Sequence, residues 1–250
     1  GLAGDPLWRV VGVVAYTTST NADVSAVAAA GAAEGLVVVA EHQRSGRGRL
    51  DRRWESPPRS GVLFSVLVRP AVRPAALPLL PLLTGTAVVE AVRAVGRVES
   101  RLKWPNDVLV GDRKLGGVLV ERTGDGAVVI GLGLNVSTRS DELPAPMATS
   151  LAIEGGRTDR ESLVKEVLRA FARRYDTYVK AQGAPESVLP AYREICETIN
   201  RRVTVHVPGG EPVTGLAVAV DDGGLLVVRD DDGRERAWSA GDVIHVRAEG

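Results

Sequence analysis

The chain has 250 residues, of which 44% are hydrophobic, and its 31 basic side chains are balanced by 31 acidic ones. That length supports one large domain, or a large domain with a small one beside it, and the neutral balance argues against a general nucleic-acid coat protein. A single cysteine, Cys196, excludes an internal disulfide framework and suits a reducing cytoplasm. No run is expected to approach the roughly 18 apolar residues of a membrane span, and no signal-peptide pattern opens the chain.

Residues 8–16 are rich in β-branched side chains and read as a strand. Ser19 or Thr20 can cap a helix that starts near Asn21, propagates through an alanine run and is expected to stop at Gly35. Residues 36–42 form a buried strand that feeds the stretch QRSGRGRLDRRWESPPR at 43–59, and residues 61–70 form the strand that leaves it. Pro74, Pro78 and Pro81 precede a helix expected to begin after the last proline. From residue 101 to 136 the pattern is of short antiparallel strands, turning at Gly111-Asp112 and at Gly124-Asp125-Gly126. Residues 137–160 are irregular. Residues 159–181 then carry Leu163, Val167, Phe171 and Tyr175 at helical spacing, with Asp159 or Ser162 near the start. Shorter helical pieces follow. From Arg202 onward, about five short strands separated by glycine-rich turns (Pro208-Gly209-Gly210 among them) have the texture of a small barrel. Residues 1–198 and 199–250 are therefore the expected domains.

Three stretches carry chemistry. Residues 43–59 hold six arginines against two acids, lack apolar periodicity and read as a loop. Gly46 and Gly48 free its backbone, and arginine forks match phosphate oxygens. Taken alone the stretch fits equally a solvated basic loop or a polyanion site. Residues 101–121 place Lys103, Asn106, Asp107 and Lys114 around one strand-turn-strand unit. A carboxylate there can hold a hydrated magnesium ion, and a lysine beside Gly116-Gly117 can reach a phosphate, although surface lysines around a plain turn read the same way. The third stretch, IGLGLNV at 130–136, is not a dinucleotide fingerprint, because its glycines lie inside a strand pattern and open no helix.

SerThrAsn at 19–21, GRGR with a following tryptophan at 46–54, KWPND at 103–107, RKLGGVLVE at 113–121 and GLGLN at 131–135 together resemble the bacterial biotin protein ligases, in that order. The resemblance implies an α+β fold. It has a mixed, largely antiparallel central sheet with helices packed on it, as in class II aminoacyl-tRNA synthetases and biotin ligases, plus a small C-terminal SH3-like barrel. It implies that biotin and ATP give biotinyl-5′-AMP and pyrophosphate, and that the biotinyl group passes to one lysine of a biotin carboxyl carrier protein. Residue by residue, Ser19, Thr20, Asn21, Gln43, Gly46, Arg47, Gly48, Arg49, Lys114 and Gly117 match positions that contact biotin or its adenylate, and Trp54 matches the apolar end of the loop. Asn106, Asp107 and Asn135 match the ATP side. Arg49, Lys114 and Asp107 are the catalytic candidates, and Asp107 is the candidate magnesium ligand. ATP and Mg2+ are the implied co-substrate and ion; a homodimer is compatible with the resemblance.

Only 18 residues precede Ser19, too few for the DNA-binding domain that some family members carry, so no operator binding is expected. Residues 44–56 are expected to be disordered without ligand and to close on the adenylate. Arg47 and Arg49 should face ligand, and Arg52 and Arg53 solvent. Asp51 departs from the glycine often found there in the family. His42, His206 and His245 are expected to have no functional role. A lipoate-protein ligase is the nearest rival reading, and a nucleic-acid-binding module the rival of another class.

Overall fold

The computed structural model of the protein describes residues 5–50, 52–207, 209–239 and 241–246. Asp51 and Pro208, on which two of the sequence readings fall, lie outside them. In chain order the first layer comprises β1 (Val10–Val14), α1 (Thr20–Ala29), β2 (Leu36–Ala40), β3 (Gly46–Arg47), β4 (Arg53–Trp54) and β5 (Gly61–Val68). It continues with α2 (Leu80–Ala91), β6 (Arg101–Lys103), β7 (Asp107–Val110), β8 (Arg113–Arg122) and β9 (Val128–Asn135). Then come α3 (Arg160–Lys180), α4 (Leu189–Ile195) and the five strands β10 (Arg202–His206), β11 (Val213–Val220), β12 (Leu226–Arg229), β13 (Glu235–Trp238) and β14 (Asp242–His245).

The central sheet has the order β1-β2-β5-β9-β8-β7-β6. Only β1 and β2 pair in parallel in this sheet; every other neighbour is antiparallel, as the family resemblance implied. Strands β5 and β9 are buried along their whole length, so the side-chain period of two decides what each face holds. Val62, Phe64, Val66 and Val68 of β5 and Val128, Ile130, Leu132 and Leu134 of β9 enter one core, which α2 and α3 cover. On the other face Leu67 and Val129 meet Val24 and Ala28 of α1. The opposite-face register carries Ser65 on β5 and Gly131, Gly133 and Asn135 on β9. That face is where the chain gives up apolar bulk.

The helices follow their sequence cues with two corrections. Helix α1 ends before Gly31 (φ +87°), not at Gly35. Gly35 is needed for another reason: at φ +93° a Cβ would lie 2.0 Å from the Leu7 carbonyl oxygen. Helix α2 begins at Leu80, after a 3-10 turn at Pro74–Leu79, and Pro81 sits inside its first turn. Proline is tolerated there because the first amides of a helix have no intrahelical acceptor. The stretch Pro74–Gly96 is, against expectation, long and apolar enough to cross a membrane, but 72% of its window is buried inside the protein, as befits a core helix. Helix α3 buries Leu163, Val167, Phe171 and Tyr175, and Asp159 accepts from the Ser162 amide at 3.1 Å.

The C-terminal strands form a separate antiparallel sheet, β13-β12-β11-β10-β14. It is tied to the first layer: the Trp104 indole donates to the Gly224 carbonyl at 2.9 Å, and Arg193 donates to the Val220 carbonyl at 2.6 Å. Thr198 accepts from the Trp104 amide at 3.0 Å and lies 3.1 Å from the His245 ring. Burial, reinforced by Lys103 and Arg201, pulls the His245 pKa down from 6.5 to about 4. Between those values the unfolded chain binds more protons than the folded one, so this contribution to stability is complete above pH 6.5 and lost as pH falls through about 4. Calorimetric melts of His245→Gln should accordingly lose less of their midpoint than the parent does on acidification across that window.

Candidate active site

The sheet face opposite the large core is floored by backbone. A Cβ at Gly131 would lie 2.2 Å from Asn21 Oδ1, and one at Gly133 would lie 2.4 Å from the Trp54 ring. The two glycines of GLGLN are therefore spacers: each admits a side chain from elsewhere against the strand. In sequence that pattern looked weak, because its meaning depends on residues 79 to 110 positions away.

Two adjoining cavities open on this face. The first is lined by Ser19, Thr20 and Asn21 at the start of α1, and by Gln43, Arg47, Gly48 and Arg49 of the basic stretch. Asn106, Asp107, Lys114 and Gly117 close its far wall. The second holds Asn135, whose amide donates to the Thr149 carbonyl at 3.0 Å, with Pro144, Met147 and the β14 residue His245. Arg53, Trp54, Lys103, Asp107 and Lys114 line both. Six cationic side chains against two carboxylates face the first cavity, which suits a ligand with several negative oxygens.

At the junction Lys114 Nζ lies 2.6 Å from Asp107 Oδ1 and 6.0 Å from the Trp54 ring centroid. Arg49 donates to Asn106 Oδ1 at 3.1 Å; burial pulls its pKa below the usual guanidinium value, against the pull of Asp107 and Asp242. It remains charged all the same. Burial likewise lowers Lys103, with Asp107 and Asp242 opposing. Lys103 was given no role by the sequence, yet it faces both cavities.

The α1 end of the first cavity is a closed set of hydrogen bonds. The Thr20 amide and hydroxyl both reach Gln43 Oε1, at 2.8 and 3.1 Å. Ser19 stands at the cap position but makes no side-chain cap, so Gln43 satisfies a first-turn amide instead. Asn21 Nδ2 donates to Glu121 at 2.6 Å, and Arg47 pairs with the same carboxylate at 3.2 Å.

The basic stretch differs from the unstructured loop expected. Gly46 pairs with Trp54 and Arg47 with Arg53 in a two-rung hairpin, closed by the Gly48 amide on the Arg52 carbonyl at 2.7 Å. Gly46 stays outside the cavity wall; a Cβ there would lie 2.4 Å from the Trp54 carbonyl oxygen, so the hairpin itself requires it. Asn106, expected on the ATP side, lines the first cavity and not the second. Arg52, expected to face solvent, reaches across to Asp242 of β14 with two hydrogen bonds, at 3.2 and 2.5 Å. Arg53 is exposed as expected. His245, expected to be idle, forms part of the second cavity. The Arg52 and Asp242 side chains are 60% and 34% exposed, and pairs of that kind contribute at most about 1 kcal/mol. Arg52→Ala should speed proteolytic cleavage within 44–56 by up to about fivefold, with the melting temperature barely moved; an unchanged cleavage rate would mean the pair holds nothing.

A family model described as the biotin/lipoate A/B protein ligase family matches residues 13–135, and one described as the biotin protein ligase C-terminal domain matches residues 198–246. The biotin–[acetyl-CoA-carboxylase] ligase of Mycobacterium tuberculosis is 42% identical over 246 residues, covering 96% of this chain and 90% of that protein. Among solved structures, the biotin protein ligase of Aquifex aeolicus in complex with biotin and ATP superposes with a TM-score of 0.79 at 26% identity, covering 96% of this chain and all of that one. The Leishmania major enzyme in complex with biotinyl-5-AMP gives 0.65 at 25% identity over 93% of this chain and 99% of that one.

Proposed function

The chain belongs to the biotin protein ligase family, and on that premise we propose how its residues divide the two half-reactions. Biotin and ATP give biotinyl-5′-AMP and pyrophosphate, and the biotinyl group is then transferred to a lysine of a biotin carboxyl carrier domain. The observation that carries the assignment of roles is the pair of cavities joined at Lys114 and Asp107. A bisubstrate reaction needs two pockets whose contents meet at one point, held in line.

The first cavity takes biotin, with its ring toward Thr20, Asn21 and Gln43 and its carboxylate toward Lys114. The second takes the adenosine of ATP, beside Asn135 and Met147. In the first step an anionic carboxylate attacks an anionic phosphorus, and negative charge builds on the transferring and leaving oxygens. Preorganised cations in a partly dry site lower that barrier. Lys114 stands at the junction, Arg49 faces it from the first cavity, and Lys103, which lines both cavities, faces the pyrophosphate side. Trp54 covers the junction and excludes water that would hydrolyse the mixed anhydride. The hairpin closes further over the adenylate once it forms.

Among the described residues no three His, Cys, Asp or Glu side chains gather as a metal site. Magnesium keeps most of its waters and needs only one or two carboxylates beside the phosphates, and Asp107, on the wall of both cavities, supplies one. Asp107 would hold it, and the ion would offset phosphate charge there. In the second step the carrier lysine, with a free pKa near 10.4, must lose a proton; Asp107, the carboxylate common to both cavities, accepts it. The domains divide at 198/199, with β14 completing the nucleotide cavity. The single buried thiol of Cys196 suits a reducing cytoplasm.

Incubation with biotin, MgATP and a purified carrier domain, followed by a streptavidin blot, tests the reading. The carrier should be labelled at one lysine and only when all three are present. Labelling that persists without ATP, or no labelling of any carrier, would reject it.

A further inference from the structure

Ser65 is the one polar residue in the strand GVLFSVLV, fully buried in the middle of β5. It lies behind the cavity wall, not in it. Its Oγ is 2.7 Å from Thr20 Oγ1 and 2.5 Å from Asn21 Oδ1. Neither half-reaction uses it directly. A lone hydroxyl in an apolar strand costs stability unless it is bonded, and both of its partners line the biotin cavity.

The donors and acceptors around Ser65 can be assigned from chemistry alone. The Thr20 amide must donate, so Gln43 presents its oxygen there. The Thr20 hydroxyl faces the same oxygen at 3.1 Å and must therefore donate to it. Thr20 Oγ1 is left as an acceptor. On the other side, the Glu121 carboxylate can only accept, so Asn21 turns its Nδ2 to Glu121 and its Oδ1 to Ser65. Ser65 has one proton to share between Thr20 Oγ1 and Asn21 Oδ1. The cluster is thus short of donors: two acceptor oxygens share one proton, and lone pairs remain for a ligand that brings N–H groups.

We propose that Ser65 and Glu121 are positioning residues that fix Thr20 and Asn21 as acceptors for the ureido N–H groups of biotin. Ser65 holds the two oxygens side by side, and Glu121 prevents the Asn21 amide from flipping. Arg47 on the same carboxylate ties the hairpin to this arrangement. The inference rests on biotin being the ligand of the first cavity.

Calorimetric titration tests it, with biotin and with biotin methylated on each ureido nitrogen in turn. Ser65→Ala and Glu121→Ala should each weaken biotin binding about tenfold while KM for ATP stays unchanged, and Glu121→Gln, which keeps an acceptor for Asn21, should stay within about threefold of the parent. With one of the two methylated analogues the Ser65→Ala loss should shrink to under about threefold, because the partner N–H is already gone. Equal losses for biotin and both analogues would reduce Ser65 to a packing role and overturn the proposal, as would unchanged affinity in Ser65→Ala and Glu121→Ala. Failure of the parent protein to bind biotin would instead remove the reading of the cavity itself. If Ser65→Ala does not fold, the Glu121 pair decides by the same criteria.

Discussion

Lys114→Ala should lower the rate of biotinyl-5′-AMP formation about 100- to 1000-fold, the range for removing one preorganised group that meets charge developing in a transition state. The ammonium stands where the two cavities meet, 2.6 Å from Asp107 and close to Gly117. Its removal has two consequences with the same sign. The transferring phosphoryl loses a cation, and Asp107 loses the ammonium that pairs with it at 2.6 Å, so the local balance shifts toward negative charge in a reaction between anions. Lys114→Arg should recover little, because a planar fork is a different shape from a compact ammonium. Single-turnover formation of the adenylate at saturating biotin and ATP gives the rate directly. Biotin affinity should fall by much less than the rate does, since the cation meets the biotin carboxylate in the ground state but acts mainly on the transition state. A rate loss under tenfold, about 1.4 kcal/mol of barrier, would move the site of charge stabilisation elsewhere.

Gly131→Ala should raise KM for biotin by one to two orders of magnitude with KM for ATP nearly unchanged. The new Cβ would lie 2.2 Å from Asn21 Oδ1 and 3.0 Å from its Cγ. Asn21 is 4% exposed and held on both ends, by Ser65 at 2.5 Å and Glu121 at 2.6 Å, so it cannot slide aside without breaking one of those bonds. Overpacking of this kind typically costs about 1–3 kcal/mol, and here the displaced group is itself part of the binding wall. Gly124→Ala, where a Cβ meets nothing within 4 Å and no positive φ is required, is the matched control. Steady-state kinetics on the two variants separates the effects. Parity between them would mean that the glycine floor is not what positions Asn21.

The comparison of these two glycines shows what a sequence yields and what it withholds. Strand and helix identities were legible wherever period and breaker residues act locally: the apolar run of β9, the stripe of α3, the turns at Gly111 and Gly126. The candidate residues Thr20, Arg49, Asp107 and Lys114 were singled out through motifs in order, and the fold brings them to one cavity. Contacts fixed by tertiary structure escaped. The pairing of Arg52 with Asp242 spans 190 positions and joins the basic hairpin to the C-terminal sheet. Ser65 drew no reading from the sequence; its signal was a hydroxyl at the centre of a strand otherwise apolar on both faces. Helix α1 stopped four residues early because Gly31 takes the left-handed conformation first, while Gly35 answers to the Leu7 backbone. Pro81 did not delay α2, since a first-turn proline forfeits no hydrogen bond.

Exchange of labelled pyrophosphate into ATP is the most direct test of biotin activation at the joined cavities. It should require biotin and magnesium together, and should be absent with lipoate in place of biotin and fall at least 100-fold in Lys114→Ala. Exchange that proceeds without biotin, or that lipoate supports equally well, would contradict it.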